Sequence, residues 1–352
     1  MLRAEERKVL VVGAGLAGLA VGKSLSDNHI PFVLVEKEEK MGGHSKNWAC
    51  MATTGCLSCH SCLVFDYEDA VASSQMGQIY LSHELSRVEQ SSAGNRKVRI
   101  KNIENGDETE LEVYCIVLAT GFDIFDPGEK PFWGYGRIDG IMTLADLNRM
   151  MRLDQAEQLN PNHKSRSDLA FFQCVGSRDK SIGRNYCSQY CCGAAIRTAL
   201  KLIQDRPELH VTIFYIDLQL PDKTLPALMT EARDKGVRFL QGVPGEIWPS
   251  QDGKLRVFSE VDGINVVEEF DRIILSVGQQ PSSSAKPISA VTGAPLNEFG
   301  FFETRSLTDP VRSPEEGIYI AGSCSGPATI ADSVLSAGRV VSAIVADMNQ
   351  AR

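Results

Sequence analysis

The sequence predicts an α/β fold. A Rossmann-type dinucleotide-binding domain is assembled from both ends of the chain, and a smaller Rossmann-like domain is inserted between them. Three observations predict this. A strand, a glycine loop, a helix and a second strand ending in an acid run from Lys8 to Glu36. A second strand–loop–helix–strand series spans Leu169 to Ile216, and a strand and a helix close the chain between Gly317 and Met348. The length of 352 residues suits two domains at roughly 150 residues each. Soft stretches at 126–140, 158–168 and 279–287 are rich in Gly, Pro and polar residues, and read as hinges or loops. They assign 1–150 and 285–352 to the dinucleotide domain and 151–284 to the insertion.

Each element has a local reason. Lys8 to Val12 is a short apolar run, the pattern of a parallel strand buried on both faces. Leu16 to Leu25 carries small residues on one face and reads as a helix, and Phe32 to Glu36 is the next strand. Short alternating segments over 78–118, with a turn at Asn105-Gly106, predict an antiparallel meander. Leu169 to Phe172 is a strand that leads into a loop. A helix then begins near Cys191–Gly193, followed by the strand Val211 to Ile216. Gly317 to Ala321 reads as a strand and Ile330 to Met348 as a helix.

Composition excludes several function classes. With 43% hydrophobic and 23% charged residues, the chain has the balance of a folded protein. Its net charge is −9 and it has no basic tract, which argues against nucleic-acid binding. No apolar run reaches the ~18 residues of a membrane span. The N-terminus, Met1 to Val12, is charged and lacks a small-residue cleavage site, so it does not read as a secretory signal and the expected location is cytoplasmic. In a reducing compartment, ten cysteines suggest metal or redox chemistry before structural disulfides.

The glycine loop is Gly13-Ala14-Gly15-Leu16-Ala17-Gly18. Gly13 allows a tight turn. Gly15 lets backbone N–H groups approach a pyrophosphate at the positive end of the helix. Gly18 permits close helix–strand packing, and Glu36 is placed to accept hydrogen bonds from a ribose.

Further segments resemble the two-dinucleotide-binding flavoproteins, the superfamily of thioredoxin and glutathione reductases. Glu36-Lys37 followed by Met41-Gly42-Gly43 is similar to the stretch whose glycine pair lines the FAD pyrophosphate there. Leu118-Ala119-Thr120-Gly121 resembles that family's ATG turn, and Ile318 to Ser323 its C-terminal FAD strand. The resemblance implies FAD on Gly13, Gly15, Leu16, Ala17, Gly18, Glu36, Lys37, Gly42, Gly43 and His44. It adds Val88, Ala119, Thr120 and Gly121 from the middle of the FAD domain, and Gly322, Ser323, Ile330 and Ala331 from its end. Ser323 stands where an acid usually meets the ribityl chain, and Asp332 is the nearest substitute.

The cysteines depart from both reductases. The two positions of a glutathione-reductase-like redox pair are Ser45 and Cys50 here. The middle domain carries Cys174, Cys187, Cys191 and Cys192, spaced C-x12-C-x3-C-C, rather than a CxxC pair. They stand where a nicotinamide-binding domain would place its second glycine loop. Four thiolates at a helix N-terminus suit a [4Fe–4S] cluster, whose negative charge the helix end offsets. Zinc is the rival, and buried thiols are the bland reading.

This spacing on such a frame resembles the flavin-carrying A subunits of heterodisulfide reductases, in particular the short heterodisulfide-reductase-like ones of bacterial sulfur oxidation. The resemblance implies an oxidoreductase subunit with FAD and one [4Fe–4S] cluster. It also implies a homodimer, with iron–sulfur and disulfide-reductase-like partner subunits, in cytoplasmic oxidation of disulfide or sulfane sulfur. An NAD(P)H-dependent thioredoxin-reductase-like enzyme and a non-catalytic FAD or zinc scaffold are the alternatives.

A second group, Cys50, Cys56, Cys59 and Cys62, admits a cluster, zinc, a disulfide or plain thiols, with His60 as a further ligand or a solvated loop residue. Arg197 lies five residues after Cys192, near the cysteine face of the same helix. It reads equally as a cation beside the flavin, matching a lysine of the larger relatives, and as a surface arginine. Cys115 and Cys324 read as packing residues, and Asp217 as a loop residue.

Overall fold

The computed structural model describes residues 7–91, 95–160, 162–261 and 263–350, with the backbone alone for Val261. Met1–Glu6, half of the stretch judged against a secretory signal, lie outside these residues, as does Pro161 of the soft stretch at 158–168. Seven α-helices occur among the described residues: α1 (Leu16–Asp27), α2 (Leu63–Ala72), α3 (Leu144–Arg152), α4 (Cys191–Asp205), α5 (Leu225–Asp234), α6 (Ala285–Thr292) and α7 (Ile330–Gln350). None of the described helices is long and apolar enough to cross a membrane.

The chain divides into two units. The first comprises 1–46, 60–123 and 280–352, and the second 47–59 and 124–279. A five-stranded parallel sheet forms the first unit, in the order Ile318–Ile320, Cys115–Leu118, Val9–Val12, Phe32–Val35, Gly77–Tyr80. Val9–Val12 is buried at all four positions, as a strand covered on both faces requires. Residues of α1, α2 and α7 pack one face. The other face carries α6 and an antiparallel sheet of His83–Gln90, Arg96–Asn102 and Glu108–Val113. The meander expected over 78–118 is therefore shorter, because Gly77–Tyr80 and Cys115–Leu118 leave it for the parallel sheet. Its turn at Gly106 is as expected, at φ +79° with the Gly106 N–H on the Asn102 carbonyl.

The second unit repeats the layout. Its parallel sheet runs Arg238–Gln241, Leu209–Tyr215, Ser167–Val175, Arg272–Val277, Ile141–Thr143. Residues of α3, α4 and α5 pack one face. The other face packs against an antiparallel sheet of Pro244–Pro249, Leu255–Val261 and Ile264–Phe270. The chain enters this unit at 124, not near 150, because Ile141–Thr143 pairs with Arg272–Val277 and the Phe125 N–H donates to the Gly278 carbonyl. The segment 47–59 also belongs here: Ala49, Met51 and Leu57 are buried in the core under α4.

Candidate functional site

In the first unit, the strand Val9–Val12 delivers the glycine loop to the start of α1. A Cβ on Gly13 would strike the Ala119 carbonyl, and one on Gly18 would strike the Gly13 carbonyl. These two glycines are demanded by packing. Gly15, the residue before α1, is different: a Cβ there meets nothing within 4 Å. The space lies over the first free N–H groups of a helix, where a phosphate is stabilised. The second glycine pair comes to the same place. The Gly42 N–H donates to the Ala14 carbonyl at 2.8 Å, and a Cβ on Gly43 would come within 3.1 Å of the Gly15 Cα.

Glu36 is buried, and its carboxylate accepts from the Ala14 N–H at 2.6 Å and the Glu38 N–H at 3.0 Å. It holds the loop it follows. Thr120 Oγ1 is buried with no hydrogen-bond partner, beside Gly121, which has a positive φ and open space around it. An orphaned hydroxyl and an open glycine cradle fit a dinucleotide. His44 stacks on Phe122 at 4.6 Å and contacts its carbonyl through Nε2 at 2.9 Å. Lys37 lies 3.9 Å from Glu38. Leu16 and Ala17 open α1, while Val88 packs beside the core under the antiparallel sheet. Gly322 donates its N–H to Ser336 Oγ at 2.8 Å, Ser323 is buried, and Ile330 and Ala331 open α7. Asp332 is engaged by its own helix: its carboxylate accepts from the Thr329 N–H and hydroxyl, and Thr329 Oγ1 accepts the Asp332 N–H. This is a capping exchange, and it engages one oxygen of the Asp332 carboxylate.

In the second unit, all four cysteines from 174 to 192 come within electrostatic reach of one another. Burial pushes the Cys191 thiol well up, and Cys192, Cys174 and Cys187 push it further. Burial raises Cys192 to about 11, with Cys174 and Cys187 adding to the effect. Cys174 is raised by burial and by Cys187, against the pull of Arg178. Cys191 and Cys192 are the first two residues of α4.

Cys174 sits in a kink. Between the pairs Phe172↔Leu275 and Val175↔Val277, Gln173 and Cys174 together face Ser276, and Cys174 takes φ +60°. All four sulfurs accept from an N–H group or a cation. The Gln189 N–H donates to Cys187 Sγ at 3.2 Å, the Gln219 backbone to Cys192, and the Arg178 guanidinium to Cys174. The fourth, Cys191 Sγ, accepts from its own backbone N–H and donates to the Val277 carbonyl at 3.7 Å. Asp217 holds the Arg178 guanidinium at 2.5 and 2.9 Å, so it is an anchor and not an idle loop residue. Donors to sulfur are the chemistry a thiolate-ligated cluster needs. Among the described residues, no three His, Cys, Asp or Glu side chains close on one point as ligands of a single metal ion do.

Arg197 is neither at the surface nor idle. It is buried; Nε donates to the Leu57 carbonyl at 2.7 Å, and a terminal nitrogen reaches the Ser58 carbonyl at 3.4 Å and Asp222 at 2.9 Å. It clamps the Cys56–Cys59 stretch to α4. Cys50, Cys56 and Cys62 are exposed, Cys59 is half-buried and His60 is exposed. The Ser58 N–H donates to Cys56 Sγ at 3.4 Å. Cys115 and Cys324 are buried as expected, and burial pushes the Cys324 thiol up to about 12. Sequence reasoning missed Arg178 as the cation between Cys174 and Asp217.

Comparison with known proteins agrees with this geometry. The profile of the pyridine nucleotide-disulphide oxidoreductase family matches residues 7–346. The A subunit of the H(2):CoB-CoM heterodisulfide,ferredoxin reductase of Methanothermobacter marburgensis is 34% identical over 247 residues, covering 68% of this chain and 37% of that protein. The iron-sulfur A subunit of the CoB--CoM heterodisulfide reductase of Methanocaldococcus jannaschii is 33% identical over 260 residues, covering 71% and 40%. The chain thus spans two fifths or less of the length of these relatives. Among solved structures, the thioredoxin reductase of T. acidophilum superposes with a TM-score of 0.62 at 16% identity, over 97% of this chain and 99% of that one. The Lactococcus lactis thioredoxin reductase in its FR conformation gives 0.60 at 17% identity, over 96% and 97%. At those identities the likeness shows the fold, a two-domain α/β FAD-binding Rossmann architecture. This chain is an oxidoreductase of the pyridine nucleotide-disulphide oxidoreductase family, and over about two thirds of its length it is similar to the A subunits of heterodisulfide reductases.

Proposed function

We propose that this chain is the electron-transferring flavin subunit of a heterodisulfide-reductase-like complex, with FAD in its first unit and a [4Fe–4S] cluster on Cys174, Cys187, Cys191 and Cys192 in its second. The observation that carries the reading is the replacement of a nicotinamide loop by four thiols gathered at the start of α4, within electrostatic reach of one another and with N–H donors. When bound, the flavin handles electron pairs and the cluster handles single electrons. The residues of the first unit bind and orient the dinucleotide. Arg178 and the start of α4 offset the negative charge of the thiolates. By resemblance, the protein works as a cytoplasmic homodimer with iron–sulfur and disulfide-reductase-like partners in the oxidation of disulfide or sulfane sulfur, and the thiol substrate site lies on a partner.

One observation disfavours an NAD(P)H reductase. Gly176 opens the loop after Ser167–Val175, and a Cβ on it would collide with the Phe125 ring. Where Gly15 leaves room for a phosphate, Gly176 is filled.

The test is the iron, sulfide and flavin content of anaerobically purified protein, with electron paramagnetic resonance after dithionite reduction. The expected result is about four irons per chain, as one cube holds, and a reduced-cluster signal lost in Cys191→Ala. About eight irons would place a second cluster at Cys50–Cys62. Zinc in place of iron overturns the relay in favour of a scaffold. Flavin bleached by NADH in iron-free protein overturns it in favour of a reductase.

A further inference from the structure

We propose that Gln173 and Ser276 are cluster-binding residues, whose amide and hydroxyl donate hydrogen bonds to sulfur of the [4Fe–4S] centre. The proposal rests on the cluster reading above and adds two ligand-facing side chains from outside the cysteine loop.

Their facing follows from strand alternation. In Ser167–Val175, Leu169 and Phe171 pack in the core that contains α4, while Ala170 and Phe172 pack in the opposite one. Gln173 therefore points to the α4 side. In Arg272–Val277, Ile274 joins the α4 core, and Ile273 and Leu275 join the other. Ser276 points to the α4 side as well. The kink at Gln173–Cys174 sets both of these residues opposite Ser276. The pair thus lies at the carboxyl ends of two parallel strands, next to Cys174, on the face covered by the helix that starts with Cys191 and Cys192. Carboxyl ends of parallel strands are where such sheets bind ligands.

Both side chains are buried, Gln173 at 6% exposure and Ser276 at 0%. Gln173 Nε2, Gln173 Oε1 and Ser276 Oγ all lack a hydrogen-bond partner. Leaving such groups unpaired forfeits their hydration without return, so folded proteins rarely do so. Three orphaned atoms on two facing residues mark a place where something other than the protein supplies the partners. An amide N–H and a hydroxyl are the donors that cluster sulfurs accept, and hydrogen bonds to sulfur raise a cluster's potential by favouring its more negative reduced form.

The experiment is a redox titration of the cluster, followed by electron paramagnetic resonance, on the full chain and on Gln173→Leu, Ser276→Ala and Ser276→Thr. Iron and flavin are quantified for each. In Gln173→Leu, the reduced-to-oxidised ratio at the wild-type midpoint should fall about tenfold, a shift of ~59 mV for one electron. Ser276→Ala should lower the ratio as well, and Ser276→Thr, which keeps the hydroxyl, should restore it. If Gln173→Leu fails to fold, the two serine variants decide. Unchanged midpoints in Ser276→Ala and any folded Gln173→Leu overturn the proposal and leave an internal water as the partner. Iron-free wild-type protein overturns the cluster reading and this proposal with it, which separates the two failures.

Discussion

Single residues do separable jobs at both sites. Gly13 and Gly18 are fixed by backbone carbonyls already in place, whereas Gly15 faces open space. Gly15→Ala should therefore leave the flavin-free protein within about 1 kcal/mol of wild type, since Ala before a helix is only modestly worse than Gly. Its flavin content should fall steeply. Gly18→Ala should cost about 3 kcal/mol, because an added methyl must displace backbone. Denaturant melts of the apo-proteins alongside flavin-to-protein ratios check both. Cys174 presents the converse case. At φ +60° a glycine is easier to accommodate than any L-residue by about 1–2 kcal/mol. Cys174→Gly should make the metal-free protein more stable than Cys174→Ala, while both lose iron. The glycine jobs were legible because they depend on a few neighbouring residues. The kink at Cys174 was not, because it depends on the register against Arg272–Val277, nearly a hundred residues away.

At the scale of elements, two helices hold side chains whose partners the sequence did not show. Asp332 caps α7 by exchange with Thr329. Asp332→Ala should cost about 1 kcal/mol, as cap removals do. It should leave the flavin content unchanged, and thermal melting with absorbance of the bound flavin reads both. On α4, the sequence places Arg197 near the cysteine face, but its guanidinium is spent on the carbonyls of Leu57 and Ser58 and on Asp222. That clamp joins residues 140 positions apart, and nothing local in the sequence announces it. Arg197→Leu leaves buried acceptors unmatched and should destabilise the second unit by about 2–3 kcal/mol. It should also raise hydrogen exchange across 48–59 before elsewhere, measurable by mass spectrometry.

At the scale of the whole molecule, the alternating pattern of strands and helices gave away both sheets, while the division between units was misplaced. Soft composition at 126–140 and 158–168 reads as a boundary, but the strand Ile141–Thr143 lies between these stretches and joins the second sheet. Three residues are too few for a periodic signal. The first unit is also closed late in the chain. Asp347 on α7 accepts from Arg312 and from the Tyr319 hydroxyl, tying the last helix to the strand Ile318–Ile320. Burial opposes the charge on Asp347, yet the bonds from Arg312 and Tyr319 prevail and hold its carboxyl below the ordinary 3.8. A depressed carboxylate contributes stability that is full above its unfolded value and is lost as pH falls through the lower, folded one. The first unit should therefore loosen below about pH 4. Composition offers a way to see this in one unit at a time. All three tryptophans, Trp48, Trp133 and Trp248, lie in the second unit, whereas the FAD cradle lies in the first. Asp347→Asn should cost about 2 kcal/mol, the loss of hydrogen bonds to a charged group. In urea at neutral pH, its flavin should be released at a lower midpoint than in wild type, while the tryptophan transition stays in place. Flavin release in the variant should also depend less on pH across the acid range. A shift of both probes together would show instead that the two units unfold as one.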